Sequence, residues 1–218
     1  MKPELAIVIP AWNEAATIGQ VVARVAGIGR VIVVDDGSSD NTGEIARASG
    51  AETVLHAGNE GYDRALDSGF RRAAELKCAY VITLDADGQH PADMIAAYLA
   101  RLEDGSDLVL GVRDRYQRMG ERLFAILTRA AFGIDDPLCG MKGYRMALYR
   151  ELGHFDSYGS IGTELMLHSV RHGARFVQLP LKTAERRDTP RFGRLVCANF
   201  KILRAAAIGI WKFGVAKV

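Results

Sequence analysis

Short apolar runs rich in valine and isoleucine alternate with amphipathic stretches of helical length along the first half of the chain. The apolar runs predict buried strands at residues 5–10, 30–34, 53–56, 80–84 and 108–111. The stretches between them predict helices at residues 15–25, 41–49, 62–77 and 91–103. Strands and helices that alternate in this way form a mostly parallel sheet with helices on both faces. We therefore predict an α/β fold.

The second half of the chain has a less regular pattern. It contains helical stretches at residues 118–132 and 162–172 and a strand-like run at residues 176–181. Of the 218 residues, 49% are hydrophobic and 25% are charged, and there is no internal repeat or low-complexity linker. This composition predicts one globular domain at residues 1–190, followed by a basic tail at residues 191–218 that packs on it or extends it.

The tail is the most basic part of the chain. The net charge of +2 gives no reason to expect binding to nucleic acid. The tail, however, has no acidic residue and contains Arg191, Arg194, Lys201, Arg204, Lys212 and Lys217. In a helix with about 100° per residue, Arg194, Lys201 and Lys212 lie within about 20° of one another. The opposite side carries Val196, Phe200, Leu203 and Ile210.

This arrangement is typical of an amphipathic helix at an anionic membrane surface. The alternative is a packed C-terminal helix whose basic face is solvated. No run reaches the roughly 18 apolar residues of a spanning helix, and the apolar run at the N-terminus is too short for a signal peptide. We therefore expect peripheral contact with the inner face of a membrane, or contact through a small membrane subunit.

The cysteines also bear on the compartment. Cys78, Cys139 and Cys197 are widely spaced and form neither a C-x-x-C motif nor a cluster with histidine. They predict neither a disulfide framework nor a zinc site. A reducing cytoplasm is the compartment that they favour.

Ligands of parallel α/β sheets bind beyond the carboxyl ends of the strands, and the loops at these positions are polar here. Asp85, Asp87 and Gln89 follow the predicted strand at residues 80–84 in the sequence DADGQ. At a strand end that enters a glycine turn, their oxygen atoms can converge on one cation and suit Mg²⁺ or Mn²⁺ shared with a diphosphate. The alternative is a turn whose aspartates cap the next helix.

A second acidic loop, DDGSSD, follows the predicted strand at residues 30–34. Its Asp36 carboxylate can accept a hydrogen bond from a nucleotide base or a ribose hydroxyl, with an Asp-Gly turn as the alternative. The loop after the first strand lacks a G-x-G-x-x-G sequence. This argues against a dinucleotide site of the Rossmann type.

A series of motifs makes the chain similar to a known family. In chain order they are PAWNEAATI, VIVVDDGSSDNT, GNEG, LDADGQH, GVR, DPLCGMKGYR and a late LPL followed by arginines. They resemble the inverting glycosyltransferases of family 2, which have the Rossmann-like GT-A fold. Within that family, the likeness is to dolichyl-phosphate mannose synthases and bacterial polyprenyl-phosphate glycosyltransferases.

The resemblance implies roles for individual residues. The nucleoside pocket would be lined by Pro10, Trp12, Glu14, Val34 and Asp36. The diphosphate and the sugar would contact Asp85, Ala86 and Asp87, and the Mg²⁺ or Mn²⁺ ion would be bound by Asp85, Asp87 and Gln89. Further substrate contacts would come from Arg113, Lys142, Arg186 and Arg191. The expected catalytic residues are Asp87, Arg113 and Glu164.

The resemblance also bears on the acceptor. Relatives that transfer sugar to a hydroxyl group have an aspartate general base after a glutamate, whereas here Glu164 is followed by Leu165. A phosphate acceptor needs no such base, because it is largely ionised at neutral pH. We therefore expect a metal-dependent inverting transfer of a mannose-like or glucose-like sugar from a nucleoside-diphosphate sugar to a polyprenyl phosphate. Glu164 is either a residue of the sugar or metal site or an ordinary helix residue.

Two other functions are compatible with the sequence. A transferase with the same donor could act on a soluble or saccharide acceptor. A non-catalytic subunit that binds a nucleotide sugar is the alternative from another class. One carboxylate can pair with either base, so the sequence does not distinguish GDP donors from UDP donors.

Overall fold

The computed structural model describes residues 4–116, 118–182 and 195–214, with side chains in the last segment described from residue 197. Four of the basic residues named above, Arg186, Arg191, Arg194 and Lys217, lie outside the described residues.

Strands and helices alternate along most of the described chain. The strands are β1 (Leu5–Ala11), β2 (Arg30–Asp35), β3 (Glu52–Leu55), β4 (Tyr80–Thr83), β5 (Leu108–Arg113), β6 (Lys142–Arg145) and β7 (Phe176–Leu181). The helices are α1 (Ile18–Val25), α2 (Thr42–Ala48), α3 (Tyr62–Glu75), α4 (Met94–Glu103), α5 (Met119–Phe132), α6 (Met146–Leu152), α7 (Glu164–Arg171) and α8 (Leu195–Phe213). All of the predicted strands and helices are present. Helices α1 and α4 begin three residues later than predicted, whereas β6 and α6 were not predicted.

The strands form one sheet in the order β3-β2-β1-β4-β6-β5-β7. Strand β6 runs antiparallel to both of its neighbours, β4 and β5, and the other pairs are parallel. The predicted α/β class with a mostly parallel sheet is therefore confirmed.

Helices cover the sheet on both faces. In β1, Ile7 and Ile9 face the cluster formed with α1 and α4, whereas Ala6 and Val8 face the cluster formed with α3 and α7. This alternation follows from the period of two residues in a strand. Helix α3 approaches β1 so closely that a Cβ atom at Gly69 would overlap the Val8 side chain. The carboxyl end of β1 is thus held between two packed layers.

Helix α8 packs against α5 and α7 through a face of mostly small residues. The buried side chains on this face are Ala198, Ile202, Ala205 and Ala206. At Gly209, a Cβ atom would lie 2.8 Å from the Leu167 side chain. Around the helix axis, the packed face lies between the predicted basic side and the predicted apolar side. This face packs because its small residues permit the closest approach of two helices. Phe200 and Leu203 are therefore exposed.

Candidate active site

The carboxyl ends of β1, β2 and β4 meet at one edge of the sheet, where the loops that follow them enclose a cleft of about 390 Å³. The start of α3 and the side chain of Lys201 on α8 complete the wall. The predicted site residues in the wall are Pro10, Trp12, Glu14, Asp36, Asp85, Ala86 and Asp87. The fold therefore brings residues from three separate loops into one cleft.

The loops after β1 and β2 are joined by hydrogen bonds. Asn13 has the left-handed backbone conformation that asparagine tolerates, with φ of 53°. Its N–H donates to Ser38 Oγ at 2.9 Å, and its Oδ1 accepts from the N–H of Ser39 at 2.8 Å. The N–H of Glu14 donates to Thr42 Oγ1 at 2.8 Å. These contacts hold the neighbouring Trp12 in the wall of the cleft.

Asp36 orders the loop that precedes α3. Its Oδ1 accepts a hydrogen bond from the N–H of Glu60 at 2.8 Å and lies 2.7 Å from Nδ1 of His56. Its Oδ2 accepts from the N–H of Gly61 at 2.8 Å. The carboxylate is almost fully buried in these contacts but also lines the cleft. Asp36 thus orders the backbone of the loop in the cleft wall and also lines the cavity itself.

Asp85 and Asp87 lie where the β4 strand turns towards α4. Asp85 Oδ1 accepts a hydrogen bond from the Tyr62 hydroxyl at 3.3 Å, and Oδ2 lies 2.9 Å from Nε2 of His90. Burial raises the pKa of Asp85, but the hydrogen bond with His90 and the positive charges of Lys142 and Arg113 together outweigh it, so the pKa is lowered. Asp87 Oδ1 accepts from the N–H of Gln89 at 3.0 Å across the glycine turn. Asp85 is therefore an anionic carboxylate at neutral pH.

A second cavity of about 150 Å³ adjoins the cleft, because Tyr62, Asp85 and Asp87 line both. Gln89 lines this second cavity together with the two carboxylates. Carboxylate and amide oxygens are the donors that Mg²⁺ and Mn²⁺ prefer, so this donor set fits such an ion if a diphosphate or water completes its coordination. Within the described ranges, no group of three or more histidine, cysteine, aspartate or glutamate side chains is placed to hold a metal ion.

Basic side chains form the other wall of the second cavity. Arg113 donates to Asp136 through Nε at 2.7 Å and through a terminal nitrogen at 2.9 Å. The same terminal nitrogen donates to Glu121 at 3.3 Å, and Arg118 donates to the other oxygen of Glu121 at 3.1 Å. Burial lowers the pKa of Arg113, but the hydrogen bonds that it donates to Asp136 and the negative charge of that carboxylate keep the pKa raised. These arginines are held in fixed positions opposite the aspartates.

Lys142 is buried beside the same cavity. Its Nζ donates to the carbonyl oxygen of Gly162 at 3.0 Å, and burial lowers its pKa. Lys142 and Arg113 both line the adjoining cavity, and their contact with phosphate stays a prediction.

Two predicted residues do not reach either cavity. The side chain of Val34 lies in the core between β2 and α3, because alternate positions of a covered strand face the two helical layers. Glu164 is fully buried at the start of α7, where it accepts hydrogen bonds from Ser157 and Lys212. Its expected catalytic role is therefore not supported, and its position is that of an anchor for α8.

The sequence interpretation missed other lining residues. Tyr62 lines both cavities, and Arg118 lines the second one. His90, the last residue of the LDADGQH motif, contacts Asp85. The sequence pattern places Lys201 only on the basic face of a helix, because it contains no sign that α8 packs beside the loops after β1 and β4.

Comparisons with known proteins show which family the chain resembles. Residues 6–160 match the family model described as glycosyl transferase family 2. A dolichyl-phosphate hexose transferase of Haloferax volcanii is 31% identical over 84% of this chain and 84% of its own length. An undecaprenyl-phosphate 4-deoxy-4-formamido-L-arabinose transferase of Edwardsiella ictaluri is 29% identical over 84% of this chain and 60% of its own length.

The fold is also similar to that of a solved glycosyltransferase. Glucosyl-3-phosphoglycerate synthase from Mycobacterium tuberculosis, in complex with Mn²⁺, UDP and glucosyl-3-phosphoglycerate, superposes with a TM-score of 0.78. The match covers 97% of this chain and 80% of that chain at 22% identity. The sheet with its helices is thus a GT-A fold. Because the family model matches well over half of its length, this chain belongs to glycosyltransferase family 2.

Proposed function

We propose that this chain transfers a sugar from a nucleoside-diphosphate sugar to a polyprenyl phosphate, with Mg²⁺ or Mn²⁺. The observation that carries the proposal is the position of Asp85 and Asp87 between two cavities. One cavity has the aromatic wall of Trp12, and the other has the basic wall of Arg113 and Lys142. This arrangement suits a nucleotide on one side of the aspartates and an acceptor phosphate on the other.

The donor would lie in the larger cleft. Trp12 offers a flat ring beside the base, and Asp36 lies near enough to the cavity to accept a hydrogen bond from the base or ribose. Asp85, Asp87 and Gln89 would hold the ion, which when bound neutralises charge on the departing diphosphate. The M. tuberculosis enzyme has been crystallised with UDP and either Mn²⁺ or Mg²⁺, which supports this use of the cleft.

The acceptor phosphate would lie in the basic cavity. An oxygen of the phosphate attacks C1 of the sugar, the bond between C1 and the diphosphate oxygen breaks, and the nucleoside diphosphate leaves with the electron pair. Attack from the opposite face inverts the configuration at C1. Arg113, Arg118 and Lys142 bring the two anionic substrates together by reducing their repulsion.

The absence of a general base at position 165 favours a phosphate acceptor. Leu165 is fully buried in the core, and the neighbouring Glu164 carboxylate is turned towards Ser157 and Lys212. Neither residue can remove a proton from a hydroxyl group in the cavities. A phosphate acceptor needs no proton removal near neutral pH.

The names of the relatives favour a lipid acceptor. The Haloferax and Edwardsiella proteins are named for dolichyl phosphate and undecaprenyl phosphate. The structural neighbour is named for a soluble acceptor, phosphoglycerate, so this is the second candidate. Exposed apolar side chains on α5 and α8 support the lipid: Met119 on α5 is 83% exposed, and Phe200 and Trp211 on α8 are 69% and 84% exposed.

These side chains would contact a membrane at its inner face. Basic residues lie beside them, including Arg122 on α5 and Arg204 on α8. Such a mixture of apolar and basic groups suits an anionic lipid surface, although a small membrane subunit could cover the same side chains. In the described part of the chain, no helix has the length and apolar character needed to cross a bilayer.

A donor screen tests the proposal. GDP-mannose, UDP-glucose and UDP-N-acetylglucosamine are each incubated with the chain, Mn²⁺ and undecaprenyl phosphate, and release of the nucleoside diphosphate is measured. We expect release with one class of donor that requires both the lipid phosphate and the metal ion. Binding of a donor without release would favour the non-catalytic subunit instead.

A further inference from the structure

Lys201 on α8 is the only basic residue among the described residues that line the donor cleft. The same wall contains four carboxylates, those of Glu14, Asp36, Asp85 and Asp87. The carboxylates of this wall repel an anionic ligand, whereas the ammonium group of Lys201 attracts it. We propose that Lys201 binds a phosphate group in the cleft; this inference rests on the proposed function.

The charges around the cleft support this role. Asp85 and Asp87 together would balance one divalent cation, so the phosphates of the donor need further positive charge. Arg113 is already paired with Asp136, and Arg118 is paired with Glu121. Lys201, by contrast, forms no ion pair with a carboxylate of the described residues and is exposed to the cavity. Its ammonium group is available for a ligand.

Helix α8 is fixed in place, so Lys201 is presented at a defined position. Asn199 Oδ1 accepts a hydrogen bond from the N–H of Gly120 at 3.1 Å. Arg204 donates to the carbonyl oxygen of Tyr158 at 2.8 Å, and Lys212 donates to Glu164. The buried small residues hold the helix between these three contacts. A phosphate contact from such a helix needs little ordering when the ligand binds.

Lys201 and Lys212 lie on the same side of α8. They are separated by eleven positions, which at about 100° per residue places them about 20° apart around the axis. Lys212 is directed to the body of the protein at Glu164, and Lys201 is directed to the cleft. The tail helix is therefore part of the active site, in addition to any contact that its outer face makes with lipid.

Two phosphate sources are possible, the diphosphate of the donor and the phosphate of the acceptor. The variants Lys201→Gln and Lys201→Arg distinguish them. The affinity of each for GDP and UDP with Mn²⁺ is measured by calorimetry, and the KM for undecaprenyl phosphate is measured in the transfer assay. Lys77→Gln is the matched control, because Lys77 is an exposed lysine at the opposite edge of the sheet.

We expect Lys201→Gln to weaken nucleoside diphosphate binding about tenfold and Lys201→Arg to restore most of it. An unchanged nucleotide affinity with an increased KM for the lipid phosphate would assign the contact to the acceptor. If neither quantity changes in Lys201→Gln, the inference is wrong. If the wild-type chain binds neither GDP nor UDP, the proposed function fails instead, and thermal unfolding of each variant confirms that the fold is intact.

Discussion

Lys212 near the end of the last helix donates a hydrogen bond to Oε1 of Glu164, a carboxylate with no exposed surface. Ser157 also donates to this carboxylate, through both its hydroxyl and its N–H. Burial by itself would raise the pKa of Glu164, but the bonds from Lys212 and Ser157 lower it. The pair joins α8 to the start of α7, forty-eight positions earlier in the chain.

Lys212→Met should reduce the free energy of unfolding by about 2 kcal/mol at pH 7, because it removes the ammonium group from a buried carboxylate whose other ionisable neighbour, His154, lies 3.4 Å away. Removing one partner of a fully buried pair costs more, but Ser157 still donates and the Lys212 side chain is 39% exposed. Urea denaturation measures the change. Lys201→Met is the control, since it removes a lysine from the same helix without exposing a buried partner, and an equal loss in both variants would contradict the account.

Because its pKa is lowered, the contribution of Glu164 to the free energy of unfolding depends on pH. The stabilisation is present above the ordinary glutamate pKa and is lost as the pH falls through the lower pKa of the folded state. Adding Glu164→Gln to Lys212→Met should recover part of the lost stability, because the remaining buried group is then neutral.

Asp87→Asn should lower turnover at least about 100-fold while leaving thermal unfolding unchanged. The substitution keeps the size of the side chain but removes the charge that would hold the metal ion. Transfer and Mn²⁺ binding in the presence of nucleotide are both measured. Asp104→Asn, which changes an exposed carboxylate at the end of α4, should have no effect. Wild-type turnover in Asp87→Asn would remove this residue from the metal site.

The raised pKa of Asp63 makes the free energy of unfolding depend on pH in the direction opposite to that expected for Glu164. Burial and the nearby Asp156 raise the pKa of Asp63 to about 6, although its carboxylate accepts from the N–H groups of Ile161 and Gly162. Between pH 4 and 6 the unfolded carboxylate ionises before the folded one, so this group loses stabilisation as the pH rises.

Wild type should therefore lose about 2 kcal/mol relative to Asp63→Asn between pH 4 and pH 7. Urea denaturation at several pH values gives the difference between the two proteins. Asp63→Asn also changes the free energy of unfolding by a constant amount, because an amide oxygen accepts fewer hydrogen bonds than a carboxylate. The quantity to compare is therefore the slope of the free energy of unfolding against pH. Parallel curves would mean that Asp63 has an ordinary pKa.

The exposed aromatic residues of α8 should contribute to membrane binding. Replacing Phe200 and Trp211 with serine should reduce sedimentation with vesicles of anionic phospholipid at least about tenfold, because both rings would lose contact with the lipid. Ile28→Ser is the control, since Ile28 is an exposed residue in the turn before β2, at the other edge of the sheet. Equal sedimentation of all three proteins would contradict a role for these rings.

The sequence predicted the strands and helices well where the apolar pattern was strong. It missed β6, which is only four residues long and contains Lys142, Gly143 and Arg145, so it has no apolar run of its own. Strand β6 forms because it pairs with the backbones of β4 and β5, which lie on either side of it; Gly143 pairs with Ile82 and with Val109. A partner of this kind is determined by the assembled sheet, and a local pattern does not contain it.

The acidic loops could be predicted because strand ends in a parallel sheet share one edge. The side-chain direction of Val34 could not, since residues 31–34 of this doubly covered strand are all apolar and show no alternation. The roles of Glu164 and Lys201 depend on where α8 packs. That position is fixed by small residues such as Ala205 and Gly209, which give no strong signal in the sequence.

Transfer of labelled sugar from the donor to undecaprenyl phosphate tests the central claim most directly. The wild-type chain is incubated with the labelled nucleotide sugar and Mn²⁺, with either undecaprenyl phosphate or an equal concentration of 3-phosphoglycerate, and the label is counted in the organic and aqueous products. The account predicts label in the organic phase that disappears when the metal is chelated. Label that is transferred only to 3-phosphoglycerate, or to neither acceptor with any donor, would contradict it.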